Sequence, residues 1–199
     1  MNIVCLDLEG VLVPEIWIEV AEKTGIDALK RTTRDEPDYD ALMKYRINIL
    51  KENNLKITDI QRTIAGMHPM DGALDFLNKL RQKTQVIIIS DTFEQFAMPL
   101  MEKLNYPTIF CNTLIISEEG YIEGYKMRVS ETKKTTVKAL QALGYDTIAS
   151  GDSYNDLGMI INSKAGFLFK STDTIIAANP DIPAFETYDD LMKAIELNL

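Results

Sequence analysis

Three short runs of nearly unbroken apolar residues punctuate the chain: Ile3 to Leu8, Val86 to Ile89 and Thr147 to Ser150. They are rich in branched side chains and lack the alternation of a half-exposed strand, which predicts strands buried on both faces. Each ends in polar residues: Asp7 to Glu9 before Gly10, Ser90-Asp91-Thr92, and Gly151-Asp152. Between them apolar positions recur at helical spacing over Asp71 to Gln82, Phe93 to Leu104 and Lys133 to Leu143, the last closed by Gly144 as a C-cap. Strands alternating with helices predict an α/β fold with a parallel sheet covered on both faces.

Thr92-Phe93-Glu94-Gln95 and Ser153-Tyr154-Asn155-Asp156 both read as capping boxes, so helices are expected to start just past the polar strand ends. Helix N-termini would then converge on one sheet edge, where unpaired amides favour anions such as phosphate. From Pro14 to Gly66 the alternation stops and the pattern is helical: Ile16 to Lys23, Asp40 to Asn53, and a third helix opened by Thr58-x-x-Gln61. The expected organisation is a core of residues 1–13 and 67–199 with residues 14–66 inserted as a cap. Thr113 to Arg128, turning at Glu118-Glu119-Gly120, predicts a β-hairpin attached to the core.

With 199 residues, 46% of them hydrophobic, the chain can bury one substantial core plus an insertion. Its formal charge of −9 repels phosphate backbones and anionic lipids, so neither nucleic acid nor membrane is an expected partner. An anionic substrate would need a metal ion or a few placed cations. Cys5 and Cys111 sit in apolar sequence, where free thiols pack as small hydrophobes. With no signal-peptide pattern and no spanning apolar run, a soluble cytoplasmic protein is expected. His68 is the sole histidine, which excludes a histidine-rich metal site, and Met67, Met70, Met98 and Met101 are expected to pack.

The chemistry concentrates at the strand ends. Asp7 and Glu9 leave the sheet two positions apart, so one carboxylate can attack while the other moves protons. A carboxylate approaching a phosphate dianion meets charge repulsion, which calls for a hard divalent cation, Mg2+, with Asp152 and Asp156 able to add oxygens. Strand-Asp-x-Glu, strand-Ser, a later lysine and strand-Gly-Asp-x-x-x-Asp occur in that order, a combination far more specific than any one acidic turn residue.

At these residues the chain resembles the haloacid dehalogenase-like superfamily, with Asp7-Leu8-Glu9-Gly10-Val11, Ser90, Lys133 and Gly151 to Asp156 as its four motifs. Within it the chain is similar to the phosphoserine phosphatases, and most to the type that also transfers phosphate to homoserine, through Asp7 to Trp17 and Ser90-Asp91-Thr92-Phe93. The resemblance implies a doubly wound, Rossmann-like parallel sheet with a small helical cap after the first strand. It implies Asp7 as nucleophile, Glu9 as general acid then base, and Ser90 and Lys133 on the phosphoryl oxygens, with Mg2+ held by Asp7, the Glu9 carbonyl and Asp152. Glu15 and Arg46 would take the amino and carboxylate groups of phosphoserine, and Asn155 would face the substrate and, with Asp156, order its loop. A homodimer is implied as well.

Two positions depart from the pattern. Glu9 stands where Asp is usual, and Asp91 follows the motif serine where phosphoserine phosphatases commonly have Gly; Asp91 could bind the amino group of substrate or acceptor. Lys134 rivals Lys133 for its role. Two alternatives keep part of the chemistry: another small phosphorylated metabolite as substrate, or a phospho-accepting signalling module, against which the first-strand position of Asp7 and the helical insertion both argue.

Overall fold

The first apolar run becomes β1 (Asn2–Leu6), and the other two become its immediate neighbours, β2 (Gln85–Phe93) and β5 (Asp146–Gly151). A computed structural model describes residues 1–32, 35–36 and 38–199. Among them, β3 (Ile109–Ile116), β4 (Ile122–Lys126), β6 (Ala165–Phe169) and β7 (Ala184–Phe185) complete a seven-stranded sheet of order β4-β3-β2-β1-β5-β6-β7. Every pairing is parallel except β3 with β4. That antiparallel pair is the hairpin expected at 113–128, with Leu114 opposite Tyr125.

Alternation along β1 builds the two faces. Val4 and Leu6 pack with α4 (Ala73–Arg81), α5 (Glu94–Met101) and α9 (Tyr188–Glu196), whereas Ile3 and Cys5 pack with α6 (Thr132–Ala142), α7 (Leu157–Asn162) and α8 (Asp173–Ala178). Both faces are therefore covered, as a parallel sheet requires. The 14–66 segment forms α1 (Ile16–Thr24), α2 (Tyr39–Glu52) and α3 (Ile57–Ala65), and its apolar residues, among them Trp17, Met43 and Ile60, join the cluster on the Val4 face. No helix among the described residues is long and apolar enough to cross a membrane.

Three local expectations are corrected. β2 does not stop at Ser90-Asp91-Thr92 but runs through it to Phe93, with a register shift against β3 between Ile89 and Phe93. Phe93, not Thr92, then precedes α5, and Gln95 leaves the cap to bond the main chain of Leu114 through both side-chain atoms (2.9 and 3.2 Å). α3 starts one residue before Thr58: the Lys56 amide donates to Asp59 (3.0 Å), and Gln61 is used elsewhere. Its amide donates to the carbonyl of Gln95 (2.9 Å), the acceptor that Pro99, four residues further along α5, has no N–H to satisfy. Met98 is 61% exposed, so of the methionines expected to pack it is the one that does not.

Candidate active site

Because β2, β1 and β5 are parallel neighbours, their carboxyl ends deliver Ser90 to Thr92, Asp7 and Gly151-Asp152 to one sheet edge. The Asp7 amide still donates to the Ser150 carbonyl (3.0 Å), so its backbone is held by the sheet ladder while its side chain enters the site. One carboxylate oxygen accepts from the Leu8 amide (2.7 Å) and the other faces Lys133 Nζ at 2.9 Å. Gly10 adopts a φ of +74°, and a Cβ there would lie 2.5 Å from the Asp152 carboxyl carbon. Glycine is what lets the first and third loops approach.

The capping box read from Ser153 and Asp156 is formed, on a single 3-10 turn (Tyr154–Asp156) that leads into α7. Asp156 is fully buried; one oxygen accepts from the amides of Asp152 and Ser153, both at 3.0 Å, and the other takes Lys133. A Cβ on Gly151 would stand 2.2 Å from that carboxyl carbon. Gly151→Ala is accordingly expected to displace Asp156 and lower stability by about 3 kcal/mol, the upper end for overpacking, with loss of turnover; equilibrium urea unfolding measures the first.

Asp7, Asp152 and Asp156 offer carboxylate oxygens within 4.8 Å of one another against one buried ammonium, Lys133. Burial, then the charge of Asp156, raises Asp7 well above the usual carboxylate range; Lys133 only partly opposes this. Burial and Asp156 likewise push Asp152 up to about 7. Burial opposes the Lys133 charge, but Asp156 and Asp7 outweigh it and raise its pKa. A surplus of hard, clustered anionic oxygens is what Mg2+ fits. Asp156 already serves Lys133 and two amides, which leaves Asp7 and Asp152 as the better donors.

Glu9 closes the other side. It accepts from the Ile16 amide (2.9 Å) at the start of α1, and burial, then the neighbouring Glu15, pushes it up to about 7 against Ile16, Arg46 and Thr92. Arg46 is 6% exposed, its guanidinium lies 4.6 Å from the Trp17 ring centre, and one terminal nitrogen donates to the Arg31 carbonyl (2.7 Å). Its Nε is buried without a partner among the described residues. Glu15, one residue before α1, is exposed and makes no side-chain cap.

Of the site residues named from the sequence, Asp7, Glu9, Glu15, Arg46, Ser90, Asp91, Lys133, Asp152 and Asn155 line one cavity of about 280 Å³, and Asp156 is buried behind it. Ser90 is buried and its hydroxyl accepts from the Thr92 amide (3.2 Å). Lys134 instead pairs with Glu131 at the surface (3.0 Å), so Lys133 is the lysine of the site. Asp91 accepts from Thr132 and from Asn155 (2.8 Å). Trp17, Tyr39 and Thr92 also line the cavity and were not singled out. Thr92 lies inside a quoted motif, so adjacency was a usable signal; nothing local marked Tyr39, which α2 carries in.

The haloacid dehalogenase-like hydrolase family model matches residues 1–164. The chain is 52% identical over 193 residues to phosphoserine phosphatase ThrH of Pseudomonas aeruginosa, covering 97% of this chain and 94% of that one. It is 50% identical to a phosphoserine phosphatase of Pseudomonas syringae pv. tomato, over 97% of this chain and 81% of that one. A solved phosphoserine phosphatase, described as a phospho-aspartyl intermediate analogue, shares the fold with a TM-score of 0.80 at 20% identity, covering 96% of this chain and 97% of that one. A buried aspartate at the first strand end, a buried lysine and a Gly-Asp loop thus sit in a chain matched over most of its length, and the chain belongs to the haloacid dehalogenase-like hydrolases.

Proposed function

We propose that the chain is a Mg2+-dependent phosphoserine phosphatase working through an aspartyl-phosphate on Asp7, and that it also transfers the phosphoryl group to L-homoserine. One observation carries this: a single cavity is lined both by a lysine-paired aspartate and by a buried, part-unpartnered arginine with two glutamates. Those groups match a phosphate and an amino acid held in one site, and two relatives at least half identical are named phosphoserine phosphatases.

An Asp7 oxygen attacks phosphorus while the bond to the seryl oxygen breaks; the electron pair leaves with that oxygen, which takes a proton from Glu9. Glu9, now a carboxylate, removes a proton from water or from the homoserine hydroxyl, whose oxygen attacks phosphorus and frees Asp7. Lys133 and Ser90 balance charge on the transferring oxygens. Asp7, the Glu9 carbonyl and Asp152 would hold Mg2+, which offsets repulsion between carboxylate and phosphate. Homoserine presents the same charged ends as serine with one more methylene, so it competes with water for the same intermediate. The 14–66 segment, bringing Glu15, Arg46 and Tyr39, serves as the cap.

The test is turnover with catalytic amounts of protein. Phosphate release from phosphoserine is expected with Mg2+ and is lost with a chelator, and added homoserine diverts part of the product to phosphohomoserine. Arg46→Ala lowers kcat/KM for phosphoserine by about 30- to 100-fold, the worth of a charge-assisted contact of about 2 to 3 kcal/mol. Aryl-phosphate turnover changes less than about threefold; equal losses on both substrates would show that Arg46 does not read the amino acid.

A further inference from the structure

The Asp91 carboxylate stands where three loops and the helical insertion meet. One oxygen accepts from the hydroxyl of Thr132, the first residue of α6, and the other from the side-chain amide of Asn155 (2.8 Å) in the β5–α7 loop. Its main-chain carbonyl accepts from the Tyr39 hydroxyl on α2 (3.3 Å) and from Asn112 of β3 (3.0 Å). α6 has no side-chain cap of its own: Glu131, in the cap position, has a left-handed φ of 45° and makes no such bond. The Thr132–Asp91 bond ties the first residue of α6, next to Lys133, to the end of β2.

We infer that Asp91 is a positioning residue: its carboxylate ties the Lys133 turn to the Asn155 loop and sets both around the transferring phosphoryl group. This rests on the phosphoryl-transfer reading of the same cavity. It differs from an ammonium-binding role in its partners: the carboxylate oxygens accept from Thr132 and Asn155, neutral donors of the protein itself. A strut of this kind acts on every phosphate ester alike, whereas an ammonium ligand acts on amino acid esters alone.

Asp91→Gly separates the two, assayed on phosphoserine and on an aryl phosphate that has no amino group. The expected result is a fall in kcat of about 30-fold on both esters, in line with misplacement by a fraction of an ångström, with the phosphoserine KM within threefold of the parent. Asp91→Asn keeps an oxygen for Thr132, and a flipped Asn155 amide can meet its nitrogen, so this variant recovers most of kcat on both esters. A rise in phosphoserine KM with aryl-phosphate turnover unchanged would overturn the inference and make Asp91 a substrate ligand. Failure of Asp91→Asn to recover activity while the chain remains folded by circular dichroism would also overturn it. Should phosphoserine not be turned over at all, the substrate reading fails, and the kcat loss and its recovery on aryl phosphate still decide the role of Asp91.

Discussion

Asp7→Asn is expected to lower kcat at least about 10⁴-fold on every phosphate ester, because in the proposed mechanism it removes the oxygen that accepts phosphorus and not a supporting contact. In the parent protein, acid-quenched turnover mixtures are expected to carry a phosphoryl group on the peptide that includes Asp7, and in the variant that peptide is expected to be unmodified. A modified peptide elsewhere, or residual turnover within tenfold of the parent, would refute the covalent role. The loss is expected without unfolding. Asp7 sits among three clustered carboxylates served by one ammonium, and burial with the charge of Asp156 already holds its pKa high. A neutral amide of the same shape relieves that repulsion, so the melting temperature in metal-free buffer stays level or rises.

The second large effect is on stability. Lys133→Met removes the buried cation that faces Asp7 at 2.9 Å and also pairs with Asp156, leaving the carboxylate cluster uncompensated. The expected loss is about 3 to 5 kcal/mol by urea unfolding in metal-free buffer, the range for breaking a buried pair from one side. The loss depends on pH with a definite sign. Asp7 and Asp152 are raised in the folded state, Asp152 from the ordinary 3.8 to about 7, so the native chain binds more protons than the unfolded chain across that window. Stability of the metal-free protein therefore falls as pH rises from about 4 to 7, and the Lys133→Met penalty is smaller at pH 5 than at pH 8. Saturating Mg2+ restores part of it by supplying positive charge to the same oxygens. A penalty under 1 kcal/mol that is flat in pH would show that the cluster carries less charge than its geometry implies.

The two lysines show what local pattern can and cannot say. Both are polar residues in the first turn of one amphipathic stretch, so hydrophobic spacing ranks them equally. Neighbouring positions on a helix point about 100° apart, and only the placement of α6 against β2 and β5 decides that Lys133 is buried and Lys134 pairs with Glu131 outside. Asp91 is a parallel case. Its departure from the common glycine was visible, and the sequence suggested a role toward substrate, but its partners lie 41 and 64 residues away. No window of neighbouring residues contains them. Arg46 was singled out by resemblance, while the indole that supports it, Trp17, was quoted only within a motif; α1 and α2 had to pack before one could be seen to hold the other.

The chain's own order of apolar and polar residues settled the central strands, most of the helices, the antiparallel hairpin and the Ser153–Asp156 cap. Each depends on side-chain period or on hydrogen bonds within a few residues, and those forces act before any distant part of the chain arrives. Tertiary structure decided the rest: that β2 continues through Ser90 to Phe93, that Gln61 satisfies the carbonyl left open by Pro99, and that three aspartates cluster with Lys133. These depend on which strands become neighbours and how closely their loops approach. Contacts between residues tens of positions apart are fixed by packing the whole sheet, and local preference carries no record of them.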